Sequence, residues 1–200
     1  MGIPIGDTAP DFTVGTTKGK TRFPDRIGDD CDLAPVCTTK SGCTEHLSGE
    51  FAKRHVKPLG PHSDGIAEHP TFIDDQNDTP TLSVACPIVA DPHAAAARLS
   101  DMVHDYQRQT VAVWSAFIRD PKNSICPTRS YRVSVGRNVC GIPRVIDALH
   151  TGDASLIATP ADWTPGDSGI IPMSISPQEA KTVYLQGKTE ARPALRGTTV

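Results

Sequence analysis

Apolar and polar positions along this chain alternate in short runs broken by proline and glycine, a rhythm that predicts strands and helices taking turns. Phe12-Thr13-Val14 and Thr21-Arg22-Phe23 read as the strands of a hairpin around Thr16 to Lys20. Residues 38–54 are predicted to form a helix with Leu47 and Phe51 on one face. Residues 65–85 are polar and irregular. Cys86 to Ala90 is a short apolar strand candidate closed by Asp91-Pro92, and Ala94 to Tyr106 reads as a helix with Leu99, Met102 and Val103 on one face. Val111 to Ile118 is the strongest strand pattern, followed by the turn Asp120-Pro121-Lys122-Asn123. Tyr131 to Val135 alternates like a strand, and Ile142 to Leu149 reads as a helix with Pro143 in its first turn. Pro177 to Tyr184 is a short helix opened by Ser176 as N-cap. The alternation implies an α/β layer fold.

Composition shifts toward Pro, Gly, Thr and Ala from Thr151 onward, which places a domain boundary near 150, with a core over 1–150 and an extension over 151–200. The 38% hydrophobic and 5% aromatic content is lean, and 18 prolines with 16 glycines make the chain turn-rich, so the core is expected to be modest. A net charge of −3 offers no attraction to nucleic acid or to an anionic membrane. No apolar run approaches the roughly 18 residues of a membrane span. The start, Met-Gly-Ile-Pro-Ile-Gly-Asp, lacks the basic and apolar regions of a signal peptide, and Gly6 stands where myristoylation wants Ser or Thr. A cytoplasmic location is expected, with the six cysteines reduced.

Cys37 is the residue with the most suggestive setting, Pro35-Val36-Cys37-Thr38-Thr39. The proline stiffens the approach, and hydroxyl and backbone donors can stabilise a thiolate, the reactive form of the side chain. A helix starting at Thr38 or Thr39 would aim its free N–H groups at the sulfur. The bland alternative is a buried, inert cysteine beside a turn.

Other constellations are weaker. Cys31, Cys37, Cys43 and His46 could in principle ligate zinc, but only Cys43-x-x-His46 has the close spacing of a structural site, so no metal is expected. Gly166-Asp167-Ser168-Gly169 has the look of a serine-protease nucleophile stretch, in a chain too short and too mixed for the scaffold such enzymes need. Gly15 to Thr21 has three residues between its glycines where a phosphate-binding loop needs four. His55, His62 and His69 are separated by prolines that forbid one continuous helix, and they read as exposed loop residues. Asn77-Asp78-Thr79 is a formal glycosylation triplet that needs a secretory route.

The Cys37 stretch resembles the peroxidatic motif of the one-cysteine peroxiredoxins. Gly6-Asp7-Thr8-Ala9-Pro10-Asp11-Phe12, Pro87 to Pro92, Gly136-Arg137-Asn138 and Arg144 to Leu149 resemble further pieces of that family in the same order. Ala158 to Trp163, Pro165-Gly166-Asp167 and Leu195-Arg196 resemble its C-terminal extension. The resemblance implies a thioredoxin-like core with a smaller extension, a strand over Val56 to Asp64, and a homodimer. It implies a peroxidase in which Cys37 attacks peroxide, passes through a sulfenic acid and is restored by a cellular thiol, with no cofactor. Arg137 would support the thiolate, and Pro35 and Thr38 would shape the peroxide site.

Three departures accompany the resemblance. Ala34 and Trp114 stand where the family keeps a threonine and an arginine beside the thiolate. Gly28 to Val36 contains no apolar run able to form a central parallel strand before Cys37. Pro58 and Pro61 argue against a central position for the strand that follows. A second expectation follows, a peroxiredoxin relative that is catalytically impaired and acts as a structural or interaction protein.

Overall fold

The computed structural model describes residues 3–26, 30–35, 47–62, 87–101, 114–131, 135, 138–185, 189–192 and 195–199. They belong to two compact units, Met1–Cys140 and Gly141–Val200.

In the first unit the strands are β1 (Thr13–Thr16), β2 (Gly19–Arg22), β3 (Cys31–Pro35), β4 (Val56–Pro58), β5 (Gly60–His62), β6 (Ile88–Ala90), β7 (Trp114–Arg119) and β8 (Ile125–Tyr131). The helices are α1 (Ser48–Lys53) and α2 (Ala95–Leu99), with a short 3₁₀ turn at Pro24–Arg26. β1 and β2 form the expected hairpin, Thr13 opposite Arg22 and Thr16 opposite Gly19. Gly19 takes φ +104°, a conformation without cost only for glycine, and the Thr16 hydroxyl donates to its carbonyl at 2.7 Å. One sheet has the order β2-β1-β6-β5 and the other β4-β3-β7-β8.

The second sheet overturns one expectation. A strand does precede Cys37: β3 lies between β4, to which it is parallel, and β7, to which it is antiparallel. The continuous apolar run is a requirement of strands in wholly parallel, doubly covered sheets. This sheet is mixed, and Ser115 to Arg119 of β7 are all buried, so β3 borrows its order from a well-buried neighbour.

The two prolines act as anticipated. Pro58 ends β4 and Pro61 lies inside β5, and these two strands stand at the ends of their sheet orders, where a missing ladder donor is tolerated. The single strand expected over Val56 to Asp64 is instead split between two sheets at Leu59, which is buried in the core. That core gathers Phe23, Leu59, Val89, Phe117 and Ile125. Phe23 stacks on Phe12 and meets Phe117 edge-on.

Elsewhere the boundaries move. β8 runs over Ile125–Tyr131, because its pairing with β7 outweighs the weak local pattern around Pro127; the strand expected over Tyr131 to Val135 meets it at Tyr131, and residues 132–134 lie outside the described residues. In α2, Ala96 and Ala97 are buried while Leu99 is 53% exposed, so the apolar face expected at Leu99 is not the one that packs. Asp91 caps this helix, its carboxylate accepting from the N–H groups of Ala96 and Ala97 at 3.1 and 2.8 Å. Met102 and Val103, and residues 38–46 of the helix expected after Cys37, lie outside the described residues; the described part of that helix is α1.

The second unit holds α3 (Ile142–Ser155), β9 (Gly169–Ile170), α4 (Pro177–Val183), β10 (Thr189–Arg192) and β11 (Leu195–Thr198), with sheet order β10-β11-β9. α3 extends beyond the predicted Leu149 and stops at Leu156, in the left-handed region. α4 opens as the sequence predicts: Ser176 and Glu179 form a reciprocal capping box. Ile157, Ile171, Ala180 and Tyr184 make a separate core, and the Tyr184 hydroxyl donates to Leu156 O at 2.6 Å. Trp163 is buried, with its indole N–H donating to Asp167 O. The Asp167 carboxylate closes a turn on Thr164, which is the role of the stretch that resembled a protease nucleophile.

Candidate active site

β3 is the element that delivers the chain toward Cys37. Its last residue, Pro35, is paired with Ala116, and Ala34 is paired with Phe117. β7 begins at Trp114, two residues from Ala116. Trp114, where the resemblance leads one to expect an arginine, is therefore on the strand paired with β3. Cys37, Thr38 and Arg137 lie outside the described residues.

At its other end β3 is held by a polar cluster that sequence reasoning missed. Asp30 stands just before the strand, and its carboxylate accepts from Lys57 Nζ at 2.8 Å and lies 3.5 Å from His55 Nδ1. The Lys57 hydrogen bond, above all, holds the Asp30 carboxyl below its ordinary value, with burial opposing it. The Cys31 N–H donates to His55 O at 2.9 Å. Lys57 Nζ also donates to Arg26 O at 3.3 Å, and Arg26 Nη2 donates to Pro58 O at 2.7 Å. No local pattern signalled it, because His55 lies just before β4 in the left-handed region and only the fold brings Asp30 beside Lys57.

A buried cation anchors β7. Arg119 is fully buried, with its guanidinium 3.9 Å over the Phe23 ring. It donates to Phe23 O at 2.8 Å and to Asn123 Oδ1 at 2.7 Å. The Asn123 amide in turn donates to Ala9 O at 3.2 Å, so the β7–β8 turn, Phe23 and the N-terminal segment are joined through two side chains, Arg119 and Asn123.

The described cysteines have different settings: Cys31 is buried in β3, Cys126 is half-buried and Cys140 is exposed. Of the four zinc-ligand candidates only Cys31 is among the described residues, and those residues contain no group of three possible metal ligands. No helix among them is long and apolar enough to cross a membrane.

Known proteins supply the class. Residues 5–126 match the AhpC/TSA family, and residues 148–187 match the C-terminal domain of 1-Cys peroxiredoxin. The chain belongs to this family and has the thioredoxin-like peroxiredoxin fold; it is an enzyme of the peroxiredoxin type, whose members are peroxidases. Among relatives, it is 37% identical to the mitochondrial peroxiredoxin PRX1 of Saccharomyces cerevisiae over 97% of this chain and 80% of that protein. It is 34% identical to mouse peroxiredoxin-6 over 93% of this chain and 90% of that one. The solved yeast mitochondrial 1-Cys peroxiredoxin superposes with a TM-score of 0.90 at 34% identity, covering 99% of this chain and 100% of that one. The peroxiredoxin 6 of Arenicola marina superposes at 0.87 with 29% identity, covering 99% and 98%.

Proposed function

We propose that the chain reduces hydrogen peroxide and organic hydroperoxides through Cys37. The thiolate attacks one oxygen of the peroxide bond, which breaks; the sulfur is oxidised to sulfenic acid, and the other oxygen leaves as hydroxide or alkoxide and takes up a proton. One thiol then condenses with the sulfenic acid and expels water, and a second thiol releases Cys37 as the free thiol and leaves as a disulfide. Arg137 stabilises the thiolate, and Pro35 and Thr38 shape the peroxide site. The solved yeast relative is described in terms of thiol resolving via glutathione and thioredoxin systems. We extend that reductant class to this chain, as a homodimer in the cytoplasm, where thiols are kept reduced. We take the extension to be the second unit, Gly141–Val200, whose helix α3 runs through the boundary expected near 150.

The observation that carries this reading is β3 itself: an ordered strand, set between two others, ends two residues before Cys37. Mild peroxide followed by a sulfenic-acid probe tests it. Cys37 should be labelled first, and Cys37→Ser should abolish peroxide consumption; preferential labelling of Cys86 or Cys140 rejects it.

A second reading is favoured by Ala34 and Trp114. With the family's hydroxyl and arginine both replaced, two electrostatic groups are missing, and losing one such group can lower a rate by roughly 10²–10³. On this reading the chain is an impaired relative that serves as a structural or interaction protein, and peroxide consumption stays near the Cys37→Ser level.

A further inference from the structure

The ladder that β3 shares with β4 is short, three residue pairs against four with β7. β3 runs over Cys31–Pro35 and β4 over Val56–Pro58, and in each the final proline has no N–H to donate. A slip by one residue would exchange the two faces of β3 and move its end relative to β7.

The side chains at the entry oppose such a slip. Cys31 is level with Val56, and Asp30 and His55 stand just before their strands. His55, in the left-handed region at φ +54°, and Lys57 of β4 both reach Asp30, whose carboxylate lies 3.5 Å from one and 2.8 Å from the other. A slip of β3 against β4 would break both contacts. Lys57 also holds Arg26 O, and Arg26 holds Pro58 O, so the chain on both sides of residues 27–29 is tied to β4.

We propose that Lys57 is a positioning residue for the peroxidase reaction: through Asp30 it fixes the register of β3, and with it the point from which the chain runs on to Cys37. This rests on the assignment of Cys37 above. An ionic clamp does here what a longer apolar strand would do by burial. Asp30 and Lys57 side chains are 27% and 42% exposed, so salt weakens the clamp.

The test uses the full chain as wild type, Lys57→Met, Lys57→Arg and Asp30→Asn, with folding checked by near-UV circular dichroism. Two rates at Cys37 are compared: oxidation by hydrogen peroxide, which needs geometry, and alkylation by iodoacetamide, which needs mainly the thiolate. Because a displacement of about 1 Å can lower a rate roughly 100-fold, Lys57→Met and Asp30→Asn should lower peroxide oxidation by about tenfold, with alkylation within about twofold. Lys57→Arg should recover the wild-type rate. Molar salt should slow wild type and leave Lys57→Met unchanged. Equal peroxide rates across the four proteins overturn the proposal. If wild-type Cys37 does not react with peroxide at all, it is the Cys37 assignment that has failed, and hydrogen exchange then decides the clamp. In that case the β3 amides of Asp32 and Leu33 should lose protection in Lys57→Met and keep it in Lys57→Arg, and equal protection in all four proteins overturns it.

Discussion

Pro35, the last residue of β3, is paired with Ala116, two residues from Trp114 at the start of β7. A repair follows from this placement. Ala34→Thr with Trp114→Arg supplies the hydroxyl and guanidinium that the resemblance implies for the thiolate and the peroxide bond. In a well-folded double variant, peroxide turnover should rise by roughly tenfold or more, from groups of the kind worth about 10²–10³ each. No gain per folded molecule would reject the repairable enzyme and favour the interaction protein.

Arg119→Met should destabilise the first unit. The substitution keeps the length of the stem but withdraws the donors on Phe23 O and Asn123 Oδ1. Hydrogen bonds to charged groups contribute about 1.5–3 kcal/mol each, so a loss on the order of 3 kcal/mol is expected in urea unfolding. A change below about 1 kcal/mol would show that the buried cation adds little, as replacing buried charges by apolar groups sometimes does.

Gly169→Ala tests a close approach in the second unit. A Cβ at Gly169 would overlap Ile157 Cδ1 and stand 3.1 Å from its Cβ and Cγ1. Ile157 belongs to the core of that unit, so relieving the overlap means repacking its neighbours. A loss of about 1–3 kcal/mol is expected, the usual range for overpacking. Gly169→Ala with Ile157→Val should recover part of it, and an unchanged melt in the single variant would contradict the contact.

Acid should loosen the end of α1. Hydrogen bonds from Lys53 and then Arg54 hold the Glu50 carboxyl down to about 2. A carboxyl depressed in the folded state stabilises it above its ordinary value of 4.5, and that contribution is lost as pH falls through about 2. Glu50→Gln should therefore flatten the acid limb of stability between those values. A carboxyl resonance titrating at the ordinary value would remove the effect.

The sequence made local patterns legible and left partnered ones obscure. The β1–β2 hairpin, the Ser176 cap and the α4 helix were readable because each is decided within a few residues. β3 was not, because Cys-Asp-Leu-Ala-Pro has little strand character until β4 and β7 flank it. For the same reason Ile125 to Ser130 gave no strand signal of their own before pairing with β7. Cys37 was singled out by its flanking residues alone, whereas Lys57 gains its meaning only when the fold brings Asp30 beside it.

The prolines that shorten these strands bear on how the protein behaves in a crowded solution. In the two sheets of the first unit, the outermost described strands are β2 and β5, and β4 and β8. β2 carries Lys20 and Arg22, β5 carries Pro61, β4 carries Lys57 and Pro58, and β8 carries Pro127 and Arg129. A neighbouring molecule seeking to add a strand meets either a cation or a position with no N–H to offer. Fibrils grow by such additions, so these residues disfavour aggregation along the outermost described strands of the first unit.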